Sequence, residues 1–272
     1  MWIDIGINST HEPLAQAFPE VLARGRDAGV CAGLLTGTSL ASSEAALAQA
    51  SAAGQGFGAT VGVHPHDAAG APEDLAAQLR RLATHPAACA IGETGLDFNR
   101  DFSPRPVQER VFQTQLALAE ETGLPLFLHE RDAADRFQDC FAPFEGKVSG
   151  VLHCFTGDPD MLAWGLAQDL YFGVTGWVCD ERRGQALRDA LLRIPSDRLL
   201  LETDAPFLVP RTLRPRPRHN EPAFLPVVAE TVATLRGLPL ASLAAQCAEN
   251  TVRLFGGRLR MAPEERRAPE AG

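Results

Sequence analysis

The chain has 272 residues, with 34 acidic and 25 basic side chains and a formal net charge of −9. Apolar residues make up 45% and charged residues 22%, which excludes intrinsic disorder for the bulk of the chain and suits one large folded unit. The acidity excludes a protein that coats nucleic acid by charge alone, but not an enzyme that takes nucleic acid into one pocket.

In chain order, β-prone runs occur at Trp2–Ile7, Cys31–Thr36, Phe57–Val63, Ala88–Gly92, Pro125–His129, Val148–His153, Leu170–Val174 and Arg198–Glu202. Most are continuously apolar, as expected of parallel strands covered on both faces. Between and after them lie helical patterns, among them Ser42–Ala53, Pro72–Ala83, Val107–Thr122, Pro159–Gln168, Arg183–Leu192, Pro222–Leu235 and Ser242–Phe255. Strand alternating with helix eight times predicts an α/β fold closed as a (β/α)8 barrel. No glycine-rich phosphate loop follows the first run, which argues against a nucleotide-binding doubly wound sheet. A single domain is expected over residues 1–257. The charged, proline-containing stretch 258–272 is expected to be a disordered tail.

Six cysteines lie far apart without a C-x-x-C pair, the pattern of buried thiols in a reducing compartment. The opening Met-Trp-Ile-Asp-Ile has no signal-peptide character, and no apolar run is long enough to cross a bilayer. The expected setting is the cytoplasm, with no membrane partner and a monomeric state.

In such a barrel the active site forms where strands end. The third run ends Gly-Val-His64-Pro-His66, the fourth Ile-Gly-Glu93-Thr-Gly-Leu-Asp97, the fifth Phe-Leu-His129-Glu-Arg, the sixth Val-Leu-His153-Cys-Phe and the eighth Leu-Glu202-Thr-Asp204. A lone histidine after an apolar run is usually structural. Three on equivalent strand ends, with two carboxylates, converge on the barrel mouth and predict a metal site. Imidazole with carboxylate suits Zn²⁺, Mn²⁺ or Fe, and a carboxylate-rich subsite accepts Mg²⁺. Glu93, His129, His153 and Asp204 are the expected ligands, with Asp204 also the acceptor of a water proton. His64 is expected to contact substrate oxygens, with His66 beside it on the loop. Arg211, Arg214, Arg216 and Arg218 lie in a proline-interrupted segment shortly after Asp204, where guanidinium groups clamp phosphates. Arg100, Arg105 and Arg110 follow the fourth run and extend this rim.

The motifs G-V-H-P-H, I-G-E-T-G-L-D-F, L-H-x-R-D, L-H-C-F-T-G and L-L-L-E-T-D-A-P, in that order, resemble the TatD family of metal-dependent deoxyribonucleases over about residues 2–256. The resemblance implies an amidohydrolase-like TIM barrel that hydrolyses phosphodiesters with divalent cations. It implies 3′→5′ exonuclease action on single-stranded DNA and RNA, with a role in DNA repair. The family's ligands fall on Glu93, His129, His153 and Asp204, and Asn220-Glu221-Pro222 is expected to organise the mouth, with Glu221 against the arginines. One departure stands out. Where most members read D-x-H-x-H, this chain reads Asp4-Ile-Gly6-Ile-Asn8. One or two cations per chain are therefore expected, Mg²⁺ or Mn²⁺ first and Zn²⁺ next, the second held weakly by Asp4 and Asp204, with Asn8 at the substrate. Rival readings are a D-aminoacyl-tRNA deacylase and a non-catalytic metal-binding protein.

Overall fold

A computed structural model describes residues 1–259. Its eight strands are β1 (Trp2–Ile7), β2 (Val30–Leu35), β3 (Phe57–Val61), β4 (Ala88–Asp97), β5 (Leu126–Arg131), β6 (Gly150–Leu152), β7 (Tyr171–Val174) and β8 (Leu199–Leu201). They form one parallel sheet in sequential order. The sheet closes where Ile7 bridges Ala205 in parallel and Asp204 N–H donates to the Gly6 carbonyl at 2.9 Å. The apolar runs thus form the expected barrel, because the strand residues are shielded by side chains inside and helices outside.

Nine helices are described: α1 (Phe18–Asp27), α2 (Leu40–Ala53), α3 (Leu75–Ala83), α4 (Arg105–Thr122), α5 (Ala134–Phe141), α6 (Pro159–Ala167), α7 (Gln185–Leu191), α8 (Leu225–Arg236) and α9 (Leu240–Phe255). Seven match the helical patterns of the sequence. The other two, α1 and α5, are short and half polar, and tertiary packing of Phe18, Val21 and Leu22, or of Phe137, Cys140 and Phe141, fixes them. Among the described residues no single helix is long and apolar enough to cross a membrane.

The barrel interior is filled by Ile3, Ile5, Leu34, Phe127, Val151 and Leu200, joined by Leu254, Phe255 and Leu259 from beyond β8. Arg258 and Leu259, expected in a disordered tail, belong instead to a 3-10 turn, Gly257–Leu259. Leu259 is fully buried and reaches the start of β3, next to Gly58. Its burial is worth about 1.5–3 kcal/mol, which is why the folded unit runs past residue 257. The rest of that stretch lies outside the described residues.

β4 runs five residues beyond its apolar stretch. Gly92 and Gly95 stand at φ 145° and 146°, and a Cβ on Gly95 would collide with the His129 carbonyl. Only glycine permits this irregular continuation. It pairs Gly95 with His129 and Asp97 with Arg131, so Glu93, Asp97 and His129 become neighbours. Two buried glutamines on α4 hold the adjoining loops. Gln115 accepts from Val63 N–H at 2.8 Å and donates to its carbonyl at 3.0 Å. Gln108 accepts from Asp97 N–H at 2.9 Å and donates to the Ser103 carbonyl at 2.8 Å.

Asp4 is fully buried in the closing seam. It accepts from Thr203 N–H at 2.9 Å, from the Thr203 hydroxyl at 2.6 Å and from Gly6 N–H at 3.2 Å. Burial raises its pKa to about 7 against those hydrogen bonds. A carboxyl raised in the folded state favours folding at acid pH, and that contribution is lost as pH rises towards 7. Denaturant unfolding of chelator-treated protein should therefore show wild type losing roughly 3 kcal/mol relative to Asp4→Asn between pH 5 and pH 8. A difference that does not vary with pH would contradict this.

Candidate metal centre

The polar strand ends meet in a cavity of about 700 Å³ whose wall includes His64, Glu93, His129, His153 and Asp204. Glu93 follows the cis-linked Gly92 on β4 and is 5% exposed. Three imidazoles crowd its Oε1 atom: His153 Nε2 at 2.9 Å, His129 Nδ1 at 3.0 Å and His64 Nε2 at 3.3 Å. His64, Glu93 and His129 each offer a ligand atom within 4.8 Å of the others. One carboxylate oxygen has two lone pairs and cannot satisfy three donors.

The electrostatics separate the rings. Burial lowers the His64 pKa, against the pull of Glu93, so this ring is neutral, and its Nδ1 accepts from His66 N–H at 3.1 Å. Burial also opposes charge on His129 and His153. There, however, Asp97 and Glu93 raise the first, and Glu93 and Glu202 raise the second well above an ordinary histidine. Glu93 itself is driven well below the carboxylate range, burial being outweighed by His153 and His64. Asp204 is pushed up to about 7 by burial, with His153 opposing and Glu93 and Glu202 adding to the rise. Its Oδ1 accepts from the Asn8 side-chain amide at 2.8 Å.

The residues present fit a divalent cation. Three ring nitrogens converge on one Glu93 oxygen that has lone pairs for two, and a carboxylate with several imidazoles is a donor set that such cations take. His153 completes the pattern of a ligand with an outer carboxylate: its Nδ1 lies 3.2 Å from Glu202 Oε2 while Nε2 faces Glu93.

Comparison with known proteins bears on this geometry directly. The family described as TatD related DNase matches residues 3–256. The 3′-5′ ssDNA/RNA exonuclease TatD of Erwinia tasmaniensis is 51% identical over 255 residues, covering 93% of this chain and 98% of the relative. The chain belongs to the TatD family. Among solved structures, the TatD homologue YjjV of Escherichia coli K12 superposes with a TM-score of 0.85 at 26% identity, over 94% of this chain and 98% of its own. An uncharacterised amidohydrolase from Saccharomyces cerevisiae, at TM-score 0.79 and 23% identity over 93% of this chain and 99% of its own, shares the fold.

The departure from the family's D-x-H-x-H opening has a physical counterpart. A Cβ on Gly6 would collide with Glu202 Oε2, and one on Gly173 with Glu202 Oε1. The fully buried Glu202 carboxylate thus fills the space beside Gly6, and also accepts from Cys154 N–H at 2.5 Å. Gly6→Ala should cost about 1–3 kcal/mol in thermal unfolding through overpacking. An unchanged melting temperature would show that the carboxylate can move aside.

Several expected site residues sit elsewhere. Asp4, expected as a weak ligand, is absent from the cavity wall and committed to Thr203. Glu221, expected against the arginines, instead receives Arg24 of α1, whose Nε lies 3.0 and 2.9 Å from its two oxygens. The reason is local: the turn after Glu221 packs on α1, with Pro222 beside Gly25. Arg218 is exposed and Arg211 pairs with Asp180 at 2.7 Å; neither lines the metal cavity. Arg105 pairs with Asp101. Asn8 lines the cavity and holds Asp204. His66 lines it too, bonded through Nε2 to Asp97 Oδ2 at 2.7 Å.

Other residues of the site carried no assignment from sequence. Asp97 joins His66 and His129, the latter at 3.5 Å, and Arg100 N–H also holds it, so despite burial its pKa falls far below the usual range. Arg131, like Arg100, lies on the wall. Glu202 was visible only as the first acid of Glu-Thr-Asp. Gln108 and Gln115 had a readable signal: seven residues apart, they share the apolar face of α4 with Val111, Phe112 and Leu116. Cys154 also lines the cavity, but burial and the nearby carboxylates raise its thiol pKa steeply, which removes it as a nucleophile.

Proposed function

We propose that this chain is a divalent-cation-dependent phosphodiesterase that removes nucleotides from the 3′ end of single-stranded DNA and RNA. The observation that carries the reading is the crowding of three imidazoles on one buried Glu93 oxygen at the floor of an open cavity. It sits in a chain half identical to a relative named for that activity. The domain is residues 1–259, acting as a monomer, and the six free cysteines suit the cytoplasm.

Glu93, His129, His153 and Asp204 are the residues that would hold the cation. The imidazole-rich set favours Mn²⁺ or Zn²⁺ over Mg²⁺. A single cation fits best, since the Glu202 carboxylate takes the room beside Gly6. When bound, it would polarise a phosphoryl oxygen and lower the pKa of water.

The protein groups supply the rest. Asp204, held by Asn8, accepts the proton of the attacking water; burial raises its pKa to about 7 in the cation-free site, and a bound cation lowers it so that the carboxylate is available as a base. His64 carries its proton on Nε2, because Nδ1 accepts from His66 N–H, and so presents a donor to charge developing on phosphoryl oxygens. Arg100 and Arg131 on the wall add positive charge there. Glu202 keeps His153 oriented and is a positioning residue.

The test is product analysis on matched single-stranded DNA, duplex DNA and RNA supplied with Mn²⁺, Mg²⁺ or Zn²⁺. Mononucleotides released from single strands, with duplex spared, support the reading. Internal fragments as first products, or no cleavage with any of these cations, would overturn it.

A further inference from the structure

A second concavity of about 560 Å³ lies between the loops that follow β7 and β8, and four arginines line it: Arg182, Arg211, Arg214 and Arg216. Asp180, which is 3% exposed, stitches the two loops together. Its Oδ1 accepts from Arg182 N–H at 3.0 Å and its Oδ2 meets Arg211 Nε at 2.7 Å. Arg214 is braced on backbone carbonyls of Arg211 and Leu213 at 2.6 and 2.7 Å. Asp180 and Glu181 are the carboxylates on the wall, so four guanidinium groups face two acids, in a chain of net charge −9. Among the described residues no carboxylate pairs with Arg182, Arg214 or Arg216. Cations gathered in this way repel one another until an anion neutralises them.

The groove opens on the same face as the metal cavity. Leu208 lines the cavity and Arg211 the groove, three residues on, which is about 10 Å of extended chain. Gly176 allows the two loops to meet, since a Cβ there would strike the Leu208 carbonyl. Phe207 stands between Asp204 and the arginines along the chain. It is 45% exposed, with its ring set edge-on to His11 at 4.9 Å. Phe207 lies on the wall of the metal cavity, and an exposed ring followed along the chain by a cationic groove is a pairing that unpaired bases and their phosphates use.

We propose that this groove binds the phosphodiester backbone of single-stranded nucleic acid on the 5′ side of the nucleotide being removed, with a base stacked on Phe207. The proposal rests on the exonuclease reading above, which places the 3′ end in the metal cavity. Substrates long enough to enter the groove are then held more tightly than a dinucleotide confined to the cavity.

The test uses the metal-loaded protein and a fluorescent DNA of about 12 nucleotides, blocked at its 3′ linkage by a phosphorothioate, beside a blocked dinucleotide. Arg182→Ala/Arg216→Ala should raise the Kd for the longer strand about tenfold or more and flatten its log–log salt dependence by about 1.4, the share of two phosphate contacts on a single strand. The ratio of the two Kd values, long strand over dinucleotide, should rise with it. An unchanged Kd and salt slope, or an equal loss on both ligands, overturns the groove. A parallel digestion of unblocked strand by wild type keeps the two claims apart. Failure there strikes the exonuclease reading, while the binding ratio still decides the groove.

Discussion

Glu93→Ala should strip the protein of its cation and of its phosphodiesterase activity together. The Glu93 Oε1 atom lies within 3.3 Å of three imidazole nitrogens, so its removal leaves the rings without the charge that assembles them. His153 keeps Glu202 and His129 keeps Asp97, and the barrel beneath stays packed. The loss is therefore local, and circular dichroism should report an intact fold. Turnover should fall by on the order of 10³-fold or more, since transition-state charge stabilisation and the activated water both depend on the cation. Metal content measured by mass spectrometry after desalting should fall from near one per chain to near zero. A variant that retains its metal, or turns over within about tenfold of wild type, would remove Glu93 from the centre of the account.

Asp204→Asn should lower kcat by about 10²–10⁴-fold while the barrel stays folded. The side chain is held by Asn8 at 2.8 Å, and an amide preserves its shape while removing the proton acceptor. Without a cation the carboxyl sits at about 7; an adjacent positive charge lowers it. The wild-type rate should thus climb with pH as Asp204 loses its proton, on a limb at or below neutrality, and level off above it. In the variant that limb should disappear, leaving a low rate that no longer follows this titration. A variant that keeps both the rate and the limb would assign proton acceptance to another group.

The architecture was legible because parallel strands covered on both faces write themselves as continuous apolar runs. All eight runs became strands, with bounds shifted by a few residues at most ends. The main exception was β4, whose continuation from Glu93 to Asp97 depends on glycines at positive φ, a backbone property that hydrophobic pattern does not encode. The strand-end histidines and acids were legible for the same reason as the strands: a polar residue closing an apolar run stands at the mouth. What the linear chain concealed were pairings across the barrel. Glu202 reads as one acid in Glu-Thr-Asp until Gly6 and Gly173 are seen to leave room for its carboxylate. Asp4 reads as a ligand until Thr203, nearly two hundred residues away, claims both its oxygens. Glu221 reads as a partner of the nearby arginines, yet the fold brings Arg24 to it. Charge in a segment indicates that partners exist. Only packing says which.

If a cation at Glu93 drives cleavage from the 3′ end, removing and restoring it must switch cleavage off and on. Chelator-stripped wild type and Glu93→Ala would be given 5′-labelled single-stranded DNA, with Mg²⁺, Mn²⁺ or Zn²⁺ restored separately. Stripped protein should not cleave, and a ladder of labelled products shortening from the 3′ end should appear when a cation is restored to wild type. Glu93→Ala should give no ladder with any of the three. A ladder from the variant, or cleavage by the stripped wild type, would show that cleavage does not depend on a cation at Glu93.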